Sequence, residues 1–337
     1  MPPKSPSTNS APQAPAKTAT GISKMGLTLA VLGILCFSTI ELACKILREH
    51  IENSGNMQIN GFLMCFLRFF FSGLVLIILF YPSFQHRGGQ LKASDWLAFL
   101  ANGLTCVTIS ISLYQFALPY FHNAFSAAVV FSSNALFTII FARFVNGEAW
   151  SIKKWVAMAV GIVGILCFFF EGDKPDGRIL SGLMLMGGAA LAFALSVCIT
   201  RRVVRRYGAG LLMGFSSLIG SILVIPLAFW KYMPGELASC RIGILELSFV
   251  IVIGTILGYT FYYGAMKYIS AYLASMTFLL KPIFACLMAC WFAHEKMNWW
   301  TIAGTVIILC SLLVTSLPER QHSPVPPTAD TPAPNPQ

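Results

Sequence analysis

Glu41, Arg68 and Lys281 stand inside long apolar runs of this 337-residue sequence. A charge at bilayer depth is costly, so each is a candidate site for a substrate, an ion or a proton. Lys281 lies about eleven residues into its run and precedes Pro282. Proline withdraws a backbone donor and frees a carbonyl at that depth. An ammonium there fits a carboxylate, phosphate or sulfonate of a substrate. The competing reading is a structural pair with a polar neighbour, or a side chain that snorkels to the interface. Arg68 lies roughly 13 Å deep, at 1.5 Å per residue. It fits either a substrate anion or the holding together of a helix pair. Glu41 precedes Lys45 by one turn in the favoured Glu-to-Lys order. It reads as an intrahelical ion pair, or as a carboxylate that carries a proton or binds an amine. Asp95, Glu148, Glu246 and Glu295 fall at run ends, where capping or interfacial roles are expected.

The elements that hold these residues follow from composition. The chain is 56% hydrophobic and 11% charged, with mean hydropathy +0.72. A soluble fold of this size cannot hide so much apolar surface. An integral membrane protein is expected, and a soluble enzyme, a nucleic-acid binder and a disordered scaffold are excluded. Apolar runs cover 26–46, 59–81, 97–118, 122–143, 153–170, 180–200, 210–230, 246–266, 270–293 and 298–317. None alternates as a barrel strand would, so ten transmembrane helices are predicted. Trp96, Trp155, Trp230, Trp291, Trp299 and Trp300 lie near run ends, where an aromatic belt sits. Residues 1–25 and 318–337 are polar and Pro-rich and read as disordered tails. The net charge of +10 reflects cytoplasmic loops that collect Lys and Arg. An N-terminus inside places about twice as many Lys and Arg on the cytoplasmic side as outside, anchored by Arg201, Arg202, Arg205 and Arg206. Both termini are therefore expected in the cytoplasm.

An internal repeat organises the runs. Residues 124–148 and 271–295 share Ala124/Ala271, Ala127/Ala274, Phe131/Phe278, Phe137/Phe284, Ala142/Ala289 and Glu148/Glu295 at an offset of 147. Tyr114, Ala117 and Tyr120 match Tyr262, Ala265 and Tyr268, and Gly161–Cys167 echoes Gly304–Cys310. Five helices per copy is an odd number, so the second copy enters from the opposite side. The expected fold is all-α: two inverted five-helix repeats, 26–170 and 171–317, a layout suited to rocking about a midplane site. The repeat sets Asn134 opposite Lys281, with Ser132 and Ser133 nearby. Tyr114, Gln115, Tyr259, Tyr262 and Tyr263 offer aromatic and polar walls, or plain packing. Gly254 and Gly258 permit close helix approach.

The five-plus-five arrangement, with Glu148 and Glu295 each closing a helix, resembles the EamA-type drug/metabolite transporter superfamily over roughly residues 26–317. Leu280–Phe284 through Glu295 matches that family's Pro-containing run ending in Glu. The first copy departs, with Asn134-Ala135 where Asn-Pro or a similar pair is common. Arg68, within Phe66–Phe70, matches its second-helix pattern. The resemblance implies transport of a small polar metabolite across an inner membrane, outward rather than inward.

Other chemistries lack their residues. His294-Glu295 has no second His for a zinc motif, and neither G-x-S-x-G nor a phosphate-binding G-x-x-x-x-G-K occurs. Nine of the ten Cys lie in apolar runs, Cys240 is placed in a loop, and no C-x-x-C occurs. No cofactor or metal is expected. Transport is then passive or coupled to a proton or a counter-substrate. The expected partners are a small-molecule substrate and the lipid bilayer, with a homodimer left open. The rival class is a membrane-embedded enzyme acting on lipid or quinone substrates, which a metal or an acid pair at one leaflet would favour.

Overall fold

A computed structural model describes residues 23–86, 88–120, 130–148, 151–167, 177–284, 287–288 and 299–316. Among the described residues every regular element is helical. The first is α1 (Lys24–Asn53), which Ser23 caps by accepting the Gly26 N–H. Next come α2 (Gly61–His86) and α3 (Ala93–Gly103). The latter runs through a π-helical segment, Leu104–Ile111, into α4 (Ser112–Ala117) and a 3-10 turn, Leu118–Tyr120. Then follow α5 (Asn134–Asn146), α6 (Ile152–Cys167), α7 (Gly177–Tyr207) and α8 (Ala209–Trp230). Two short helices, α9 (Glu236–Ile242) and α10 (Ile244–Phe249), lead into a second π-helical segment, Val250–Leu257, and α11 (Gly258–Ala265). The last are α12 (Ala271–Met276), a 3-10 segment Thr277–Leu280, and α13 (Trp299–Ser316). Cys240, expected in a loop, lies within α9, because Gly235 starts a helical turn there.

Among the described residues, six helices are long and apolar enough to cross a bilayer: Lys24–Asn53, Gly61–His86, Ala93–Tyr120, Leu180–Tyr207, Ala209–Trp230 and Ile244–Ala265. The other four apolar runs hold the shorter stretches Asn134–Asn146, Ile152–Cys167, Ala271–Phe284 and Trp299–Ser316. Large apolar side chains such as Ile78, Leu97 and Met184 point outward and are exposed on the bundle surface. A lipid phase accounts for that exposure, since water would penalise so wide an apolar patch.

Packing repeats between the halves. Helix α2 lies against α8, with Gly73 beside Gly214 and Leu218, and Phe80 beside Gly210. Rising numbers on one meet falling numbers on the other, so these two helices, second in their halves, run antiparallel. A Cβ at Gly73 would come within 2.9 Å of the Gly214 carbonyl, so the close approach requires glycine. Helix α1 pairs antiparallel with 244–265, through Gly33 on Tyr262, Phe37 on Gly258 and Ile40 on Gly254. The pair related to it by exchange of the halves is α7 with 93–120, held by Ser110 to Ala189 and by Thr200 to Asn102. Helices α6 and α13 also pair, and Ser311 Oγ donates to the Ala157 carbonyl at 2.7 Å. Exchanging first-half elements for second-half ones maps this set of pairs onto itself. The two π segments obey the same exchange, at an offset of 146.

Candidate functional site

The site is built where two helices break. In the first half the chain turns at Ser132–Ser133 before α5 starts at Asn134. The bonds there are short-range, Ala135 N–H to Ser132 O and Leu136 N–H to Ser133 O. In the second half the 3-10 segment Thr277–Leu280 ends at Lys281. Asn134 and Lys281 thus occupy the same place relative to each break. Only the second copy carries a proline, Pro282. In the first, side chains do the equivalent work. The Asn134 amide donates to the Phe131 carbonyl at 2.9 Å, and Ser132 Oγ donates to the Phe278 carbonyl at 3.2 Å. Carbonyls left over by a broken helix at membrane depth require such donors.

Asn134 is fully buried. Its Oδ1 accepts from Ser275 Oγ at 3.0 Å, and Ser275 Oγ lies 2.7 Å from Thr138 Oγ1. Thr138 in turn reaches the Asn134 carbonyl at 2.8 Å. Two hydroxyl protons are shared among these three contacts, so Thr138 divides its proton between the Asn134 carbonyl and Ser275 Oγ, and the knot ties α5 to α12. Lys281 is 7% exposed. Its carbonyl accepts from Ser38 Oγ of α1 at 3.4 Å, and its Nζ stands 6.0 Å from the centre of the Phe131 ring. That distance is at the outer reach of a cation–π attraction. Phe131 also meets Tyr114 at 5.3 Å and Phe193 at 5.3 Å between ring centres, and Phe193 meets Phe278 at 5.1 Å. Lys281, Asn134 and Tyr114 therefore converge on Phe131.

Arg68 and Tyr259 belong to a neighbouring group. Arg68 Nε donates to Thr255 Oγ1 at 2.5 Å, and its guanidinium lies 5.0 Å from the Phe69 ring centre. Thr255 Oγ1 bonds back to the Val250 carbonyl, five residues earlier, inside the second π segment. Tyr259 accepts a weak bond from Cys106 Sγ at 3.9 Å, and Tyr263 donates to the same sulfur at 3.4 Å. Phe37 joins the two groups, with Tyr259 at 4.8 Å and Phe278 at 5.7 Å. Glu41 and Lys45 lie on α1, but their side chains, like Glu295, fall outside the described residues. Sequence reasoning missed Ser38, Thr138, Ser275 and Phe131 as site partners. Thr138 and Phe131 stand one turn after and three residues before Asn134, a spacing that could have nominated both.

Both ends of the bundle are tied. At the end carrying Arg201–Arg206, Arg206 pairs with Asp95 at 3.2 Å, and Arg202 and Arg205 donate to the carbonyls of Val145 and Lys267. At the other, the buried Glu236 carboxylate accepts from Asn60 Nδ2 at 2.7 Å and Met233 N at 3.0 Å. Among the described residues charges gather at the ends of the bundle and are sparse between them, as the cost of a charge in a bilayer requires.

A profile of the EamA-like transporter family matches residues 24–170 and, separately, 180–317. The chain belongs to the EamA-like transporter family. It is 27% identical over 313 residues to an uncharacterized transporter of Clostridium kluyveri, covering 91% of this chain and 98% of that one. It is 21% identical over 290 residues to the S-adenosylmethionine uptake transporter of Rickettsia prowazekii, covering 85% and 93%. A solved crystal structure superposes with a TM-score of 0.67 at 16% identity, over 86% of this chain and 96% of the other. At that identity the likeness shows the fold alone. Each helix pair takes one helix from each family match, so this EamA-family chain is a multi-pass membrane transporter built on a repeat.

Proposed function

We propose that this transporter moves a small polar metabolite bearing an anionic group, an amino acid or an organic anion, by alternating access. In this reading ten helices form two inverted five-helix repeats, 26–170 and 171–317, in an inner membrane with both termini cytoplasmic. The observation that carries it is the pair of matched helix breaks, which set Lys281 and Asn134 at corresponding positions around Phe131. Lys281 meets the substrate anion. Asn134, its polar atoms already engaged, holds the first break in shape. Phe131 and Tyr114 supply the apolar wall, and Arg68, Tyr259 and Glu41 border the path. Net movement is outward, driven by a coupling proton or a counter-substrate.

A second reading comes from the relatives named for S-adenosylmethionine uptake. Such a substrate has a carboxylate for Lys281 and a flat base that can stack on Phe131 or Tyr114. Thermal unfolding of the purified protein across a metabolite panel separates the readings, because a ligand of the folded state raises the melting point. Stabilisation by anionic metabolites, lost in Lys281→Met, supports the first. Stabilisation confined to S-adenosylmethionine supports the second. Stabilisation that survives Lys281→Met contradicts an anion contact at this residue.

A further inference from the structure

Glu148 follows Gly147, whose φ of +68° turns the chain out of α5 and aims it at the second half. Its Oε1 accepts the N–H of Ala271, the first residue of α12, at 2.9 Å. Its Oε2 is buried and, among the described residues, has no hydrogen-bond partner. One side chain thus joins the end of the first half's fourth helix to the start of the second half's. We propose that Glu148 is a proton-operated latch at the end of the molecule that carries Arg201–Arg206. With its proton bound, it holds the two halves closed at that end. With its proton lost to the aqueous phase, it favours their parting. The proposal rests on the alternating-access reading and adds regulation to it.

The sign follows from solvation. An ionised carboxylate with one oxygen buried and unbonded is costly. Parting the halves would hydrate that oxygen, so charge favours the open end and a proton favours the closed one. The groups facing Glu148 are Lys154 of α6, Arg201 and Cys198 of α7, and Tyr272 of α12, over whose ring Lys154 lies at 5.1 Å. Burial holds the Glu148 carboxyl above its usual range and outweighs the opposing pull of the Ala271 N–H, Lys154, Arg201 and the Tyr272 N–H. A hydrated open state would restore the ordinary value. The state with the higher pKa is favoured as pH falls. Acid therefore closes this end and alkali opens it, over the window between the ordinary carboxylate pKa and the raised one.

Cys198 reports the opening. It is fully buried in the closed structure, with Sγ 4.0 Å from the Thr138 carbonyl. The full-length protein in lipid nanodiscs is treated with a small maleimide at a series of pH values, and modification of Cys198 is read by peptide mass spectrometry. Thiolate formation speeds the reaction with pH in any variant, so the quantity is the ratio of wild type to Glu148→Gln, whose side chain mimics the protonated form. The ratio should be near one in acid and rise with pH, by up to about tenfold for each pKa unit separating the two states. A ratio that stays flat overturns the latch. Lys154→Met, which removes a cation favouring the charged form, should move the midpoint to higher pH, and an unmoved midpoint also counts against it. A flat ratio with metabolite stabilisation intact would sink the latch and leave transport standing. A rising ratio with no stabilising metabolite would do the reverse.

Discussion

Lys281 and Asn134 occupy equivalent places, yet their surroundings leave them different work. Among the described residues, the side-chain hydrogen bonds at Asn134 run to Phe131, Ser275 and Thr138. Asn134→Ala strands the Phe131 carbonyl in a dry interior and leaves the Ser275 hydroxyl only Thr138 as a partner in the knot. Each orphaned group costs about 1–3 kcal/mol, so the melting temperature should drop in thermal unfolding. A melting curve that overlays the wild type would show that the knot is not needed. Lys281→Met should instead leave folding intact and abolish transport, and Lys281→Arg should keep only part of it, since a planar fork replaces a point charge. Lys281 was legible because charge inside an apolar run is rare. Asn134 was legible only through the repeat. Thr138, Ser275 and Cys106 were not, because a hydroxyl or thiol in an apolar helix commonly bonds its own backbone and leaves no pattern.

At the scale of elements, the breaks matter more than the helices. The runs were readable from hydropathy, and Pro282 pointed to an irregularity in the second half. The first-half break carries no proline. Asn134 satisfies the Phe131 carbonyl that the break leaves over, and Ser132 reaches across to the Phe278 carbonyl of the second break, a tertiary contact with no local signature. The paired π segments, Leu104–Ile111 and Val250–Leu257, had no signature either, since a one-residue widening needs no special residue. Helix contacts are more predictable. Gly73→Leu drives a side chain into the Gly214 carbonyl, and overpacking of this kind typically costs about 1–3 kcal/mol. A lowered unfolding temperature in detergent is the expected result. An unchanged one would mean that α2 and α8 can separate freely.

For the whole molecule, α2 and α8 run antiparallel, the sense that inverted repeats with an odd number of helices each would give. Orientation in the membrane rests on the Lys and Arg balance. Cys240 should face outside, so in intact cells an impermeant thiol reagent should label a variant retaining only that cysteine. Labelling only after lysis would reverse the topology. The central claim is that an anionic metabolite crosses through the Lys281 site. Its most direct test is counterflow in proteoliposomes: labelled metabolite outside, the same unlabelled metabolite inside, using whichever compound stabilises the purified protein. Wild-type vesicles should accumulate label transiently, while Lys281→Met vesicles with equal protein content should match empty liposomes. Accumulation by Lys281→Met at the wild-type rate would contradict the account.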